Sequence, residues 1–295
     1  NEVDPLVIIR EYKTYYGFLE SMEKANYCCT LTEQEKLILE YLSKTILSGV
    51  RPEELEILQL LLRQNAISIE TFQKLYQEKY RKNIMEDQVN CALEVLQGKF
   101  VSNEKEYQKY ETIDMISCDQ TSRITRVSKY GELLRNVEFR SQVEDIIKVG
   151  LARYHDKFMN TNEVVSPFVL YEKYSRRDVS LLMNCGKDLS SVMFGMKRIQ
   201  EDVFIFVTYH KEKAEDERNY VDGKPDYADV FEDNMIFKWD SKIGMGMEST
   251  YMKDVITAPR KHLFVKKSDA ESNFYYMGTF DIIDAKEARK EDNKG

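Results

Sequence analysis

The residues with most chemical potential are three histidines, five cysteines and several paired cations, and their spacing limits what they can do. His210 and His262 stand at the end and the start of two apolar runs, while His155 lies apart. If those runs are strands, the two imidazoles could meet at a sheet end. A metal or acid–base pair would need further ligands, and Asp269 and Glu212 are only two of many acids. Strand-end histidines are more often polar edges, so no metal site is assigned. No Ser-His-Asp or Cys-His arrangement can be picked out. Cys28, Cys29, Cys91, Cys118 and Cys185 contain no CxxC pair, and the adjacent Cys28-Cys29 lack the spacing zinc needs. An odd count without a framework points to a reducing, cytoplasmic setting. Gly186-Lys187 fails as a phosphate loop, because Leu181 stands where a Gly is required and Asp188 where Ser or Thr is required. Gly244-Met-Gly-Met-Glu248 is too short for a dinucleotide fingerprint and reads as a turn.

The cations offer more. Arg176-Arg177, Lys197-Arg198, Lys238 with Lys242, Arg260-Lys261 and Lys266-Lys267 gather in the second half, with Trp239 and Tyr251 near some of them. Cations for phosphate beside aromatics for base stacking would make a nucleic-acid surface. The candidate contacts are Arg176, Arg177, Lys242, Arg260, Lys261 and Lys266 for phosphate. Trp239, Tyr251 and His210 are the candidates for a base or a modified base. The net charge of −8 excludes a bulk polycation, and it is shared evenly: 26 acids against 22 bases up to residue 160, and 25 against 21 beyond. Between Lys211 and Asp233 nine acids face four bases, an arm that repels phosphate.

These residues need elements to hold them. Val203–His210, His262–Lys267 and Asn273–Phe280 are β-branched and aromatic runs that stop at polar clusters, which is a strand signature. They predict a small antiparallel sheet, with the polar segment Lys211–Arg260 joining the first run to the second. Val192–Arg198 reads as another strand, and both faces of the Val203 run are apolar, as in a strand covered on both sides. Ser268–Asn273 reads as a hairpin loop, and the charged tail from Asp284 as frayed. Ser175 caps a helix from Arg176 to Asn184.

The first half is helical. Asp4-Pro5 opens one helix, Thr32-Glu-Gln-Glu35 is a capping box for the next, and Gly49 stops it. Arg51-Pro52 restarts the chain into a leucine-rich helix, Ser68 caps another, and Asp87 precedes a fourth that ends at Gly98. Two strand-like pieces follow, Thr112–Ser117 and Arg123–Ser128, then a longer helix from Val137 to Phe158. Helices followed by a short hairpin is the order of a winged helix, with Arg123, Arg126 and Lys129 on the wing. There they would touch phosphate, or else form a solvated strand face. The fold class is therefore α+β, with a helical, winged-helix-like domain over residues 1–160. A mixed, mainly antiparallel β domain with a flanking helix and a barrel-like curl open to it follows over 161–295. No run of 18 apolar residues exists, so no membrane span is expected. The chain starts without Met, as a cut fragment would.

Several segments carry a family pattern. Asp4-Pro-Leu and Tyr12-Lys-Thr-Tyr-Tyr-Gly-Phe-Leu19 resemble the segment after the motor core in restriction-type superfamily II (DEAD/DEAH-box) helicases of bacteria. Leu170–Val179, Phe206–Lys211, Tyr227–Asp233, Phe237–Ser241, His262–Asp269 and Phe274–Gly278 resemble the C-terminal domain of unknown function of the same helicases. The resemblance implies a phage-defence or restriction setting, with a helicase motor and a nuclease domain elsewhere in the parent protein. It implies duplex DNA, modified DNA included, as a partner, with self-association left open. ATP and Mg belong to the motor; no ATP-binding loop, DExx box or nuclease motif lies in these residues, so no cofactor and no catalytic residue is assigned to them. The expected function is non-catalytic DNA recognition that positions the motor. The alternative is a protein-interaction module docking on the motor, on itself or on a phage trigger protein.

Overall fold

The computed structural model describes residues 12, 15–22, 29–160, 164–165, 167–208, 230–231, 236–239, 241 and 246–286. The chain divides into two compact units, Asn1–Asn162 with Arg177–Ser191, and Glu163–Arg176 with Val192–Gly295.

In the first unit, helix α1 spans Tyr15–Ser21 and α2 spans Glu33–Thr45. The capping box that opens α2 is present: Glu35 N donates to Thr32 Oγ1 (3.3 Å), and Thr32 N donates to Glu35 Oε2 (2.6 Å). The Asp4-Pro5 helix start lies outside the described residues. Next come α3 (Glu53–Arg63), strand β1 (Ala66–Ser68), α4 (Ile69–Tyr80) and α5 (Glu86–Leu96). Ser68 caps α4 as expected, accepting from Thr71 N at 3.1 Å. Helix α6 (Glu104–Tyr110) precedes strands β2 (Ile116–Cys118) and β3 (Arg123–Arg126). The three strands form an antiparallel sheet in the order β1-β3-β2. Helix, strand, two helices and a hairpin whose last strand pairs with the first is winged-helix topology, with α6 inserted before the hairpin. Helix α7 (Ser128–Leu133) and the long α8 (Val137–Tyr154) follow, and α8 runs into a π-helical turn, His155–Met159. Helix α8 packs on α2 and α3, with Phe139, Val143 and Ile147 buried.

The second unit opens with β4 (Val164–Val165), β5 (Phe168–Val169) and β6 (Lys173–Tyr174). Helix α9 (Arg176–Leu182) and the chain through Ser191 return to the first unit, and after a 3-10 turn at Ser190–Val192 the second unit resumes with β7 (Met196–Ile199) and β8 (Asp202–Thr208). The expected strand over Val192–Arg198 thus starts later. A two-residue ribbon pairs β9 (Val230–Phe231) with β10 (Phe237–Lys238). Helix α10 (Thr250–Thr257) is capped by Ser249, which accepts from Met252 N at 3.2 Å. Strands β11 (Arg260–Lys266) and β12 (Phe274–Thr279) end the described fold.

The main sheet has the order β6-β12-β11-β8-β7. It corrects one expectation. Strands β8 and β11 pair parallel, in the register Asp202↔Arg260 to Thr208↔Lys266, while the other pairs are antiparallel. Parallel pairing needs a crossover of a dozen residues or more, and the segment after Thr208 supplies it with α10 inside. Strand β8 is buried along nearly its whole length, as its two apolar faces require. One face is aliphatic: Val203, Ile205, Val207, Leu263 and Val265 cluster with Val255 and Ala258, covered in part by Trp239 and Tyr251. The other is aromatic, built around Phe168, whose ring centroid lies 5.0 to 6.0 Å from those of Tyr174, Phe204, His262, Phe264 and Tyr276. The sheet curls as a half-barrel. A bulge between Leu263 and Phe264, opposite Gly278 and Tyr276, supplies local twist.

Candidate nucleic-acid interface

Parallel pairing brings the starts of β8 and β11 to one end of the sheet, so Asp202 and Arg260 are register partners. The Arg260 guanidinium forks onto the Asp202 carboxylate, Nε to Oδ1 at 2.7 Å and a terminal nitrogen to Oδ2 at 3.0 Å. Asp202 is buried, with 3% of its side chain accessible, whereas 63% of the Arg260 side chain is exposed. That hydrogen-bonded carboxylate raises the Arg260 pKa further above its ordinary value. Two residues along β11, on the same face by strand alternation, lies His262. Its Nδ1 is 2.9 Å from the Tyr276 hydroxyl, and its Nε2 is 3.5 Å from Asp202 Oδ2. Its ring stacks on Phe204, with centroids 4.8 Å apart and planes 7° from parallel. Burial lowers the His262 pKa, against the opposite pull of Asp202. A neutral imidazole that carries its proton on Nε2, toward Asp202, can accept a hydrogen bond from the Tyr276 hydroxyl at Nδ1.

The other predicted residues sit in different settings. Lys261 faces the aliphatic side, and its ammonium donates to the carbonyl oxygen of Ala258, the C-cap residue of α10, at 2.7 Å. Lys266, at the far end of β11, donates to Glu271 O at 3.0 Å and lies 3.5 Å from Asp269. Arg176 stands over the rings of Phe194, Phe206 and Phe274, at 4.9, 5.5 and 5.0 Å, and burial lowers its pKa. Arg177 belongs to the first unit, where it pairs with Glu106 at 3.1 Å and Asp188 at 2.7 Å. Trp239 and Tyr251 stack with centroids 6.3 Å apart, half-buried on the aliphatic face. His210 and Lys242 lie outside the described residues. Among the described residues the predicted cations therefore do not form one cluster; of these, Arg260 is the one brought to an outward edge with a buried carboxylate behind it.

On the wing, Arg123 and Lys129 are exposed, while Arg126 donates to Leu61 O at 2.7 Å and to Asn65 Oδ1. Asp202 and Tyr276 were missed by sequence reasoning. The signal for Asp202 was an acid at the first position of an otherwise apolar strand; nothing marked Tyr276 among so many tyrosines. Among the described residues no group of His, Cys, Asp and Glu could hold a metal ion, and no helix is long and apolar enough to cross a membrane.

Two family descriptions match. One, a domain of unknown function (DUF8090), matches residues 1–156, and the other, a domain of unknown function (DUF3427), matches residues 168–295. Neither description names an activity. No curated protein matches the chain.

Proposed function

We propose, for a chain that belongs to the DUF8090 family, that it is the non-catalytic DNA-recognising region of a restriction-type helicase and positions the motor on duplex DNA in the cytoplasm. The observation that carries this reading is Arg260. A buried carboxylate fixes one edge of its guanidinium, and the side chain stays exposed. An arginine braced in this way loses little entropy on meeting a phosphate or the O6/N7 edge of guanine. The winged-helix topology of the first unit supports the reading by fold analogy alone. The helicase setting rests on the resemblance of the segments quoted above, with ATP and Mg assigned to the motor. Reading of a modified base is the finer form of the same proposal.

The test is fluorescence anisotropy with duplex and single-stranded DNA, plain and base-modified, over a range of salt. Arg260→Gln is expected to weaken duplex binding, and to lower the log–log salt slope by about 1 if the contact is to phosphate. Unchanged affinity and slope would remove Arg260 from the interface.

One observation favours a second reading. Lys261, Lys266 and Arg177 are engaged by internal partners, while Phe194 and Val192 are 66% and 51% exposed. A protein-docking role on the motor, on a second copy or on a trigger protein follows from that balance. Retention of this chain by the separately expressed motor, with no DNA present, is its test.

A further inference from the structure

The winged-helix part of the first unit carries two surfaces of opposite character. Helix α5 holds the position that a major-groove reader would use. Its outward residues are Glu86, Asp87 and Asn90, with Glu94 half-buried. Its surroundings are also occupied from within the unit. Asn184 Nδ2 donates to Asp87 Oδ2 at 3.1 Å. Arg51, buried, donates to Leu181 O at 2.9 Å and to Asn184 Oδ1 at 2.7 Å, which pins that segment in place. An acidic, partly covered helix is repelled by the phosphates that flank a groove.

The wing side differs. Strand β3, helix α7 and the start of α8 line an open cleft of about 880 Å³ whose walls include Asn65, Arg126, Arg135 and Arg140. From residue 123 to 140 there are five cations (Arg123, Arg126, Lys129, Arg135 and Arg140) and two acids (Glu132 and Glu138), a net +3 in a chain of net −8. One of those acids, Glu138, accepts from Thr30 N at 2.9 Å. Backbone carbonyls at the end of α3 orient two of the guanidiniums. Arg126 donates to Leu61 O at 2.7 Å, and Arg140 to Leu62 O at 3.1 Å while also meeting Glu144 at 3.0 Å. Gly131 leaves Arg126 uncovered; a Cβ there would lie 3.3 Å from its Nε. Arg123, Lys129 and Arg135 are exposed; Arg135 lines the cleft, as does the acid Glu132, while Arg123 and Lys129 stand outside its lining on β3 and α7, the elements that form it. The positive end of the 18-residue helix α8 opens on the same cleft, its Val137 and Arg140 in the wall.

We infer that this wing-side cleft is a second nucleic-acid contact, which grips the phosphodiester backbone of duplex DNA without reading its sequence while α5 stays out of the groove. The inference rests on the DNA reading above and adds a site in the other unit.

The test uses the whole chain and a short plain duplex, titrated by anisotropy at several salt concentrations. The triple variant Arg123→Gln, Lys129→Gln, Arg135→Gln changes exposed side chains only, and far-UV circular dichroism checks its fold. It is expected to bind about tenfold more weakly at low salt, with the salt slope lower by about 2 to 3, since each lost phosphate contact removes about 0.9. The loss is expected to be equal for plain and base-modified duplexes. Glu86→Gln is expected to bind as the wild type does. If Arg260→Gln weakens binding and the triple variant does not, the cleft is not a contact, and the proposed function stands. Loss confined to one modified duplex, or a gain of affinity in Glu86→Gln, overturns backbone gripping by the wing side. A wild-type chain that binds no DNA at low salt overturns both readings.

Discussion

Gly150 of α8 lies against Leu55 of α3 so closely that a Cβ on Gly150 would come within 2.8 Å of both Leu55 methyl carbons. Alanine is favoured over glycine inside a helix by about 1 kcal/mol, so at an open site Gly150→Ala would stabilise. Here overpacking, at about 1 to 3 kcal/mol, is the larger effect, because Leu55 is fully buried and has nowhere to move. Gly150→Ala is expected to lower the urea midpoint without changing the m-value. Adding Leu55→Ala is expected to cost less in that background than in the wild type, by a double-mutant cycle. Full additivity of the two changes would show that these residues do not touch.

Glu106 sets an acid limit on the first unit. Burial acts to raise its pKa, but hydrogen bonds from Lys44 and Ser102 and the charge of Arg177 outweigh burial and hold it at about 2. A carboxylate depressed in the folded state contributes stability that is fully present above its unfolded pKa and is lost as pH falls through the folded one. The window therefore runs from about 4.5 down to about 2. Glu106→Gln is expected to be less stable at pH 7 and to lose less on acidification across that window, as followed by urea unfolding. A parallel pH dependence in the two proteins would mean that Glu106 is not linked to folding.

Much of this architecture could be read from the residues. Thr32 with Glu35 and Ser68 with Thr71 mark helix starts by local chemistry, and the capping bonds are there. Strand β1 was not legible: three residues are too few to alternate, and its last member, Ser68, already reads as a cap. The parallel pairing of β8 with β11 is a property of the crossover, not of either strand, so the two apolar runs were found and their direction was not. The same pairing explains the site. Asp202 and Arg260 are 58 positions apart and become partners only through that register. The cations looked alike in sequence because pairing decides their fate. Lys261 is turned inward to Ala258 O by strand alternation, while its neighbour Arg260 is turned to the edge.

The Asp202–Arg260 fork should matter to stability as well as to binding. Asp202→Asn keeps the shape but loses the charge-assisted bonds, which are worth about 1.5 to 3 kcal/mol. Arg260→Gln leaves the buried carboxylate without its cation and is expected to cost a comparable amount. The double variant is expected to be more stable than the sum of the single losses predicts, since each single change already breaks the pair. Chemical denaturation of the four proteins measures this coupling, and a coupling energy of zero would make the fork incidental.

Gly278 closes the bulge in β12. Its φ is +100°, and a Cβ there would meet Leu170 Cδ2 at 3.0 Å. A side chain in that backbone region is strained by about 1 to 3 kcal/mol. Gly278→Ala is expected to lower the melting temperature and broaden the aromatic near-UV circular dichroism, because the bulge sets how Tyr276 meets Phe264 and Phe168. An unchanged melting temperature would place the curl of the sheet elsewhere.

His262 gives the second unit its own pH response, at a higher pH than Glu106 gives the first. Burial among Phe168, Phe204 and Tyr276 lowers its pKa from the ordinary 6.5, with Asp202 pulling up and Arg260 pushing down. The unfolded chain then takes up a proton near pH 6.5 that the folded chain still refuses. Stability is complete above that value and falls as pH drops toward the lower folded pKa. His262→Phe alone would keep the stacking on Phe204 but strand the Tyr276 hydroxyl, which now meets His262 Nδ1 at 2.9 Å. Replacing both partners of a buried hydrogen bond by apolar groups of similar shape is nearly neutral, whereas replacing one costs about 1 to 3 kcal/mol. The pair His262→Phe, Tyr276→Phe is thus expected to match the wild type at pH 7.5 and to unfold with a flatter pH dependence between 7 and 5. Measured by urea unfolding at each pH, a slope equal to the wild type's would show that His262 is protonated in the folded chain as readily as in the unfolded one.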